Sequence, residues 1–160
     1  MSSYNDLLQL TNSFEIYLGN PSTQDTPVNF QESLQHDEQD TLAWSQIKFI
    51  QQWGFMEYLI PLELGGKFSS LHELVYVVRS IGRRDLTTAI ALGISCLAAL
   101  PVWIAGTSKQ KRYLADCFRR GEIGAFALTE EEHGSDIAAN EVRAKPCAGG
   151  VGIIWDKMVY

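Results

Sequence analysis

The sequence is short of basic residues at its start. Residues 1–60 hold one base, Lys48, against eight acids, whereas the remaining residues hold 12 bases against 11 acids. Binding of nucleic-acid phosphates needs a clustered basic face, and neither part of the chain supplies one. We therefore expect no nucleic-acid partner.

Cysteine motifs and a secretion signal are also missing. The three cysteines, Cys96, Cys117 and Cys147, lie far apart and form no C-x-x-C pair. This spacing suggests neither a disulfide framework nor a zinc site. Residues 1–6 lack the basic start and apolar run of a signal peptide. The sequence predicts reduced thiols and a cytoplasmic location.

One stretch has no charge at all. Between Leu86 and Ser108 no charged residue occurs, and this length alone could cross a bilayer. Pro101 is expected to break the helix into parts that are too short to span. A buried helix of a soluble protein is therefore favoured, with no membrane span.

Apolar residues at intervals of three and four predict a helical bundle in residues 1–120. At 160 residues and 46% hydrophobic, the chain can bury a proper core. Residues 55–70, interrupted by Pro61 and two glycines, are interpreted as an irregular packed segment. About five helices are predicted: residues 4–18, from Phe30 or Asp40 to Trp53, from the cap Ser69 or Ser70 to Gly82, from Leu86 onward, and from the cap Thr107 or Ser108 to Arg120.

The periodicity changes after Glu122, where short strands are predicted at residues 123–128, 141–144 and 151–154. So few short strands would leave open sheet edges. We therefore expect residues 121–160 to be the truncated beginning of a larger β domain.

The stretch Phe126–Asp136 reads as an apolar strand that runs into a polar loop. Gly134 allows close approach of a ligand to the backbone or a positive φ, and the hydroxyls of Thr129 and Ser135 can donate or accept hydrogen bonds. On these residues alone, an ordinary strand-to-loop junction is the simpler interpretation.

Glu130 and His133 have the spacing of a di-iron carboxylate motif. Only one such pair occurs, and Gly134 directly after it argues against a helix, so no metal site is predicted. The run Glu130–Glu132 is interpreted as a solvated loop. The other histidines are interpreted as ordinary surface or core residues.

Four motifs resemble those of the acyl-CoA dehydrogenase family in their order and spacing. They are the Ile-Pro and Gly-Gly pairs within Gly54–Gly66, Pro101 followed by Gly106-Thr-Ser-Lys-Gln-Lys, the Thr-Glu and Gly-Ser-Asp elements of Phe126–Asp136, and Gly149-Gly150 followed by Lys157. The resemblance covers the chain from about residue 30 onward.

The resemblance implies an N-terminal helical bundle over residues 1–120 and the start of a middle β domain over 121–160. It implies FAD as cofactor, α,β-dehydrogenation of an acyl-CoA thioester, and an electron-transfer flavoprotein or similar acceptor as partner. Carried over position by position, it places five residues around the flavin, with Ser135 also close to the acyl-CoA: Phe126, Leu128, Thr129, Gly134 and Ser135.

The sequence departs from the family at two positions. Glu131 stands where the family usually has proline, and Trp155 replaces a glycine of the hairpin. The family's general base is a glutamate of the C-terminal domain, so no catalytic residue is assigned here, and the chain alone is expected to be inactive. Two alternatives stay open: an acyl-CoA oxidase-type flavoenzyme on the same scaffold, and a non-catalytic helical interaction module or degenerate copy. A homo-oligomer or a complementing second polypeptide is also expected.

Overall fold

The computed structural model describes residues 4–130, 134–148 and 150–154, the last range by its backbone. The chain forms two compact units, Met1–Ala125 and Phe126–Tyr160. The first unit is helical, and the described part of the second consists of loops, a short 3-10 turn and a β-hairpin. The predicted fold class, mainly helical with short strands after the helices, is confirmed. The assignment of residues 1–120 and 121–160 to two domains of a larger protein stays a prediction.

The described residues of the first unit form six α-helices. An irregular segment follows the third helix, as predicted, and contains two short 3-10 helices, Phe55–Leu59 and Leu62–Leu64. The α-helices are α1 (Tyr4–Leu18), α2 (Phe30–Glu38), α3 (Trp44–Gln52), α4 (Leu71–Gly82), α5 (Leu86–Ala105) and α6 (Ser108–Arg119).

Polar side chains mark where most of these helices begin. A cap accepts a hydrogen bond from the backbone N–H three residues further on, which would otherwise lack a partner. Asn29 caps α2, Ser70 caps α4, Asp85 caps α5 and Thr107 caps α6. Thr107 also forms a reciprocal capping box with Gln110. The predicted starts of α4 and α6 are confirmed.

The single second helix expected from sequence is two helices. α2 ends at Glu38, and Asp40 has a φ of 50°, in the left-handed region that stops a helix. The inner cap predicted at Asp40 or Thr41 is wrong, because α3 begins only at Trp44, and the residue at its N-cap position, Ala43, offers no side-chain hydrogen bond.

The prediction that Pro101 breaks the helix is wrong, because α5 continues through it to Ala105. Proline removes one backbone donor, but tertiary packing holds the turn after it. Trp103 is buried there, and its indole Nε1 donates to the carbonyl oxygen of Leu59 at 3.1 Å. By length and composition α5 is long enough to cross a membrane, the one such helix in the described residues. In the structure one face of it is buried in the core of the helical unit.

The core of the helical unit forms where α1, α3, α4, α5, α6 and the first 3-10 helix meet. Two aromatic contacts join α1 to α3 and its C-terminal end. Phe14 lies against Trp53, and Tyr17 stacks on Phe49 with ring centroids 4.5 Å apart. The largest fully buried side chains include Phe14, Leu18, Ile47, Phe55, Ile60, Ile81, Leu92 and Phe118.

A buried arginine ties the end of α1 to the end of α4. The Nη1 and Nη2 atoms of Arg84 donate to the carbonyl oxygens of Ser80 at 2.9 Å and Gly19 at 2.8 Å. Nη1 also lies 2.7 Å from Oε2 of Glu15. Burial by itself raises the pKa of Glu15, but hydrogen bonds from Ser80 and Arg84, together with the charges of Arg84 and Arg83, hold this pKa below its ordinary value.

The second unit contains a two-stranded antiparallel hairpin of β1 (Arg143–Cys147) and β2 (Gly150–Ile154), with Arg143 opposite Ile154. The predicted strands at 141–144 and 151–154 lie at or next to these elements. The predicted strand at 123–128 is wrong, because this segment makes no strand ladder. Two residues of this segment bind side chains instead: the N–H of Gly124 donates to Oγ of Ser95 at 2.9 Å, and the carbonyl oxygen of Leu128 accepts from Asn140 at 2.7 Å.

We expect Gly66→Ala to destabilise the protein by about 1–3 kcal/mol, the usual cost of overpacking. A Cβ at this position would lie 2.0 Å from the carbonyl oxygen of Ile60, which cannot move easily because it accepts the N–H of Phe68. Urea unfolding measures the effect. Gly82→Ala is the control, since its Cβ would make an ordinary contact of 3.5 Å with Ala89. Equal unfolding midpoints for the two variants would contradict this packing.

We expect the stability advantage of the wild type over Glu15→Gln to depend on pH. A carboxyl whose pKa is lowered in the folded state stabilises the protein above its unfolded pKa, and this stability is lost as the pH falls through the folded pKa. The advantage should therefore be present at neutral pH and shrink as the pH falls below the ordinary value of 4.5. Urea unfolding across this range tests it, and exposed Glu63→Gln is the control. A difference that does not change with pH would argue against the charged pair.

Candidate functional site

The predicted site residues lie in an open part of the second unit. Phe126 is 41% exposed, Leu128 is half-buried, and Thr129, Gly134 and Ser135 are exposed. In the described part of the chain, the hydroxyls of Thr129 and Ser135 make no hydrogen bond. These two groups are therefore available to a ligand. Their assignment to a flavin stays a prediction.

Gly134 has open space around it. A Cβ built on this residue would meet no heavy atom within 4 Å, and its φ lies outside the left-handed region. Two roles were predicted for this glycine. The predicted positive φ is wrong, and close approach of a ligand to the backbone stays a prediction. Open space at Gly134, next to the exposed Ser135, fits the edge of a planar, heteroatom-rich ring such as a flavin, which needs donors, acceptors and room for its face.

Glu130 does not lie in a solvated loop, so that interpretation is wrong for this residue. It is 5% exposed. Its Oε2 accepts the backbone N–H of Glu141 at 2.7 Å, and its Oε1 accepts the N–H of Val142 at 3.0 Å. Buried carboxylates need such partners, since an uncompensated charge is costly to bury. Glu131, Glu132 and His133 lie outside the described residues.

Asn140 makes a matching contact in the other direction. Its Nδ2 donates to the carbonyl oxygen of Leu128 at 2.7 Å. Leu128–Glu130 and Asn140–Val142, the two segments that flank Gly134 and Ser135 along the chain, are thus joined through side chains. Nothing in the sequence pattern indicated this pairing, because it crosses an irregular loop with no fixed period.

A second candidate feature belongs to the helical unit. An apolar groove of about 490 Å³ runs between α4 and α5, within the usual range of about 300–1,000 Å³ for ligand pockets. Among the described residues that line it, Arg79 alone is charged. Burial raises the pKa of the Cys96 thiol, so this part of the lining stays neutral. The groove is lined by Leu71, Leu74, Val75, Val78, Arg79, Leu86, Ala89, Ile90, Gly93, Ile94, Cys96 and Leu97.

The pattern of residues along the sequence did not predict this groove. The signal was the lack of any polar face on α5: a helix that is apolar all round has more apolar surface than one core contact can cover. Ile90 and Leu97 on α5, with Leu71 and Val75 on α4, are exposed for this reason.

The remaining histidines in the described residues have local contacts. Nδ1 of His36 lies 2.9 Å from Oγ1 of Thr41 at the end of α2, and the His72 ring meets the Tyr76 ring edge-on within α4. The described residues contain no group of three or more side chains able to hold a metal ion. We assign no role in chemistry to these histidines.

Comparison with known proteins identifies the class to which this bundle belongs. Residues 30–122, which include α2 to α6, match the model of the acyl-CoA dehydrogenase N-terminal domain. Because this match covers more than half of the chain, the chain belongs to the acyl-CoA dehydrogenase family.

Individual relatives agree with this family. The chain is 33% identical over 109 residues to an acryloyl-CoA reductase (NADH) of Anaerotignum propionicum, covering 68% of this chain and 28% of the relative. It is 30% identical over 121 residues to the very long-chain specific acyl-CoA dehydrogenase of Rattus norvegicus, covering 74% of this chain and 18% of the relative. It is 30% identical over 117 residues to the short-chain specific enzyme of the same species, covering 71% and 28%. The matched region thus spans less than a third of the length of each of these relatives.

We expect Gly93→Leu to lower the affinity of the protein for an apolar dye such as anilinonaphthalene sulfonate several-fold. A Cβ at residue 93 would lie 3.5 Å from Cγ1 of Val78, an ordinary contact, and residue 93 is part of the lining, so a leucine there takes up groove volume. Fluorescence titration measures the affinity.

The matched control for this experiment is Ala105→Leu, which adds the same apolar bulk at an exposed end of α5 outside the groove. Equal dye binding by both variants would show that the groove is not where the apolar ligand binds.

Proposed function

We propose that this chain is the N-terminal part of an FAD-dependent oxidoreductase that dehydrogenates an acyl-CoA thioester between its α and β carbons. The observation that carries the proposal is the match of residues 30–122 to the N-terminal domain of the acyl-CoA dehydrogenase family. Two features of the described residues support it, an apolar groove in the helical unit and an open polar loop in the second unit.

The groove between α4 and α5 supports an acyl substrate. Each methylene that moves from water into an apolar site contributes roughly 0.8 kcal/mol, so a lining of aliphatic side chains favours a hydrocarbon chain. Arg79 offers a cation at this lining. We propose that the groove contributes to binding of the acyl chain.

The polar loop supports a flavin. The hydroxyls of Thr129 and Ser135 are placed to bind heteroatoms of a ring, Gly134 leaves room for it, and Phe126 and Leu128 offer apolar contact to its face. When bound, FAD supplies the hydride acceptor for the oxidation. Thr129 and Ser135 would orient the ring and tune it through hydrogen bonds, and Ser135 would also be close to the acyl-CoA.

The general base is assigned to no residue of this chain. We propose an electron-transfer flavoprotein or a similar acceptor as partner, a homo-oligomeric or complemented assembly, and a cytoplasmic location. One relative is named a reductase and others dehydrogenases, and the two names describe opposite directions of one hydrogen transfer. Oxidation is the direction we propose.

The test of this proposal uses the full-length gene product. We expect the purified protein to be yellow and to lose its flavin absorption when an acyl-CoA is added without oxygen, because the substrate reduces the bound cofactor. Absorption spectroscopy measures both effects. A colourless protein that takes up no added FAD would refute the proposal and would favour a non-catalytic helical module.

Gly134→Leu tests the placement of the flavin. The added side chain enters open space, so stability should be unchanged while the affinity for FAD falls at least about tenfold, or 1.4 kcal/mol. Flavin fluorescence titration and a thermal melt measure the two quantities. Ala138→Leu is the control, since this exposed residue lies in the same part of the chain outside the predicted site. Unchanged FAD affinity in Gly134→Leu would place the ring elsewhere.

A further inference from the structure

Hydrogen bonds in both directions join the segments Leu128–Glu130 and Asn140–Val142. Glu130 accepts the N–H groups of Glu141 and Val142 at 2.7 and 3.0 Å, and Asn140 donates to the carbonyl of Leu128 at 2.7 Å. Each segment therefore contributes one side chain that binds the main chain of the other. We name this set of three hydrogen bonds the cross-brace.

The cross-brace takes the place of a strand ladder. No strand occurs at Leu128–Glu130, yet three backbone polar groups of these segments have partners across the loop. A ladder joins backbone groups to each other whatever the side chains are, whereas these bonds depend on two particular side chains. The second segment leads directly into β1 at Arg143, so the hairpin fixes the far end of the brace.

A carboxylate suits the central position better than any other group. It accepts hydrogen bonds on both oxygens and donates none, so it can bind two adjacent N–H groups at once. Bonds to an ionised acceptor are also stronger than neutral ones. Glutamine has the same shape but carries a donor in place of one oxygen, so it can keep only one of the two bonds.

The predicted site residues lie in or between the two segments that the cross-brace joins. Thr129 lies between Leu128 and Glu130, both of which the brace holds, while Gly134 and Ser135 lie on the chain between its two segments. Thr129 and Ser135 are exposed and make no hydrogen bond among the described residues, so their own contacts do not position them. Their positions depend on the backbone that carries them.

From this geometry we infer that Glu130 and Asn140 are positioning residues, which hold the backbone of Thr129, Gly134 and Ser135 in the arrangement that a flavin binds. The inference rests on the proposed function for the identity of the ligand. The brace itself is a property of the free protein and can be tested without any ligand.

The experiment compares Glu130→Gln, Asn140→Asp and the double variant in the full-length protein. Asn140→Asp removes the donor and places an acceptor opposite the carbonyl of Leu128. Hydrogen exchange of the amides of Glu141 and Val142 reports the brace, and fluorescence titration reports FAD affinity. The exposed Glu63→Gln is the control, since it removes the same charge as Glu130→Gln from the helical unit.

We expect exchange to accelerate about tenfold in Glu130→Gln at whichever of the Glu141 and Val142 amides loses its acceptor. FAD affinity should fall about tenfold in each single variant and stay unchanged in Glu63→Gln. Because both side chains hold the same loop, the double variant should lose less affinity than the product of the two single losses. If Glu130→Gln does not fold, the FAD affinity of Asn140→Asp tests the positioning role by itself.

The outcomes separate the two proposals. Unchanged exchange in Glu130→Gln overturns the cross-brace, whatever the protein binds. Faster exchange with unchanged FAD affinity overturns the positioning role and keeps the brace. A wild type that binds no FAD refutes both the proposed function and the positioning role of Glu130 and Asn140. The exchange data still decide whether the cross-brace exists.

Discussion

The helical unit depends on burial of one face of α5. This helix runs for 20 residues through the unit and contacts α3, α4, α6 and the first 3-10 helix. Its buried face presents small side chains, including Ala89, Ser95 and Ala99, which let its neighbours approach closely. Even Pro101 is accommodated, because the packing of Trp103 stabilises the turn that follows it. The apolar groove is a consequence of the same composition, since the opposite face of the helix is apolar too.

The two units use different means to satisfy their backbones. Helices of the first unit pair their own N–H and C=O groups, and a side chain is needed mainly at the caps. The described part of the second unit has one short hairpin, so Glu130 and Asn140 bind backbone groups that no ladder reaches. Thr129 can in this way be exposed while the residues on both sides of it, Leu128 and Glu130, are held by hydrogen bonds.

Local signals in the sequence predicted local structure. The capping pattern of Thr107 and Gln110 spans three residues and was sufficient to place the start of α6, as Ser70 was for α4. The end of α2 was not predicted because the left-handed φ of Asp40 is set by tertiary packing and leaves no local signal in the sequence. Glu130 was misread because a charge run looks solvated until its partners, Glu141 and Val142, are known. The groove needed two helices side by side, which no single periodicity describes.

The family membership and the open loop together define the central claim, that Thr129, Gly134 and Ser135 contact a flavin. The most direct measurement is an experimental structure of the full-length protein with FAD bound. We predict that the Thr129 hydroxyl lies within hydrogen-bond distance of the ring, about 3 Å, with Gly134 and Ser135 beside it. FAD bound with Thr129 and Ser135 remote from the ring would contradict the claim.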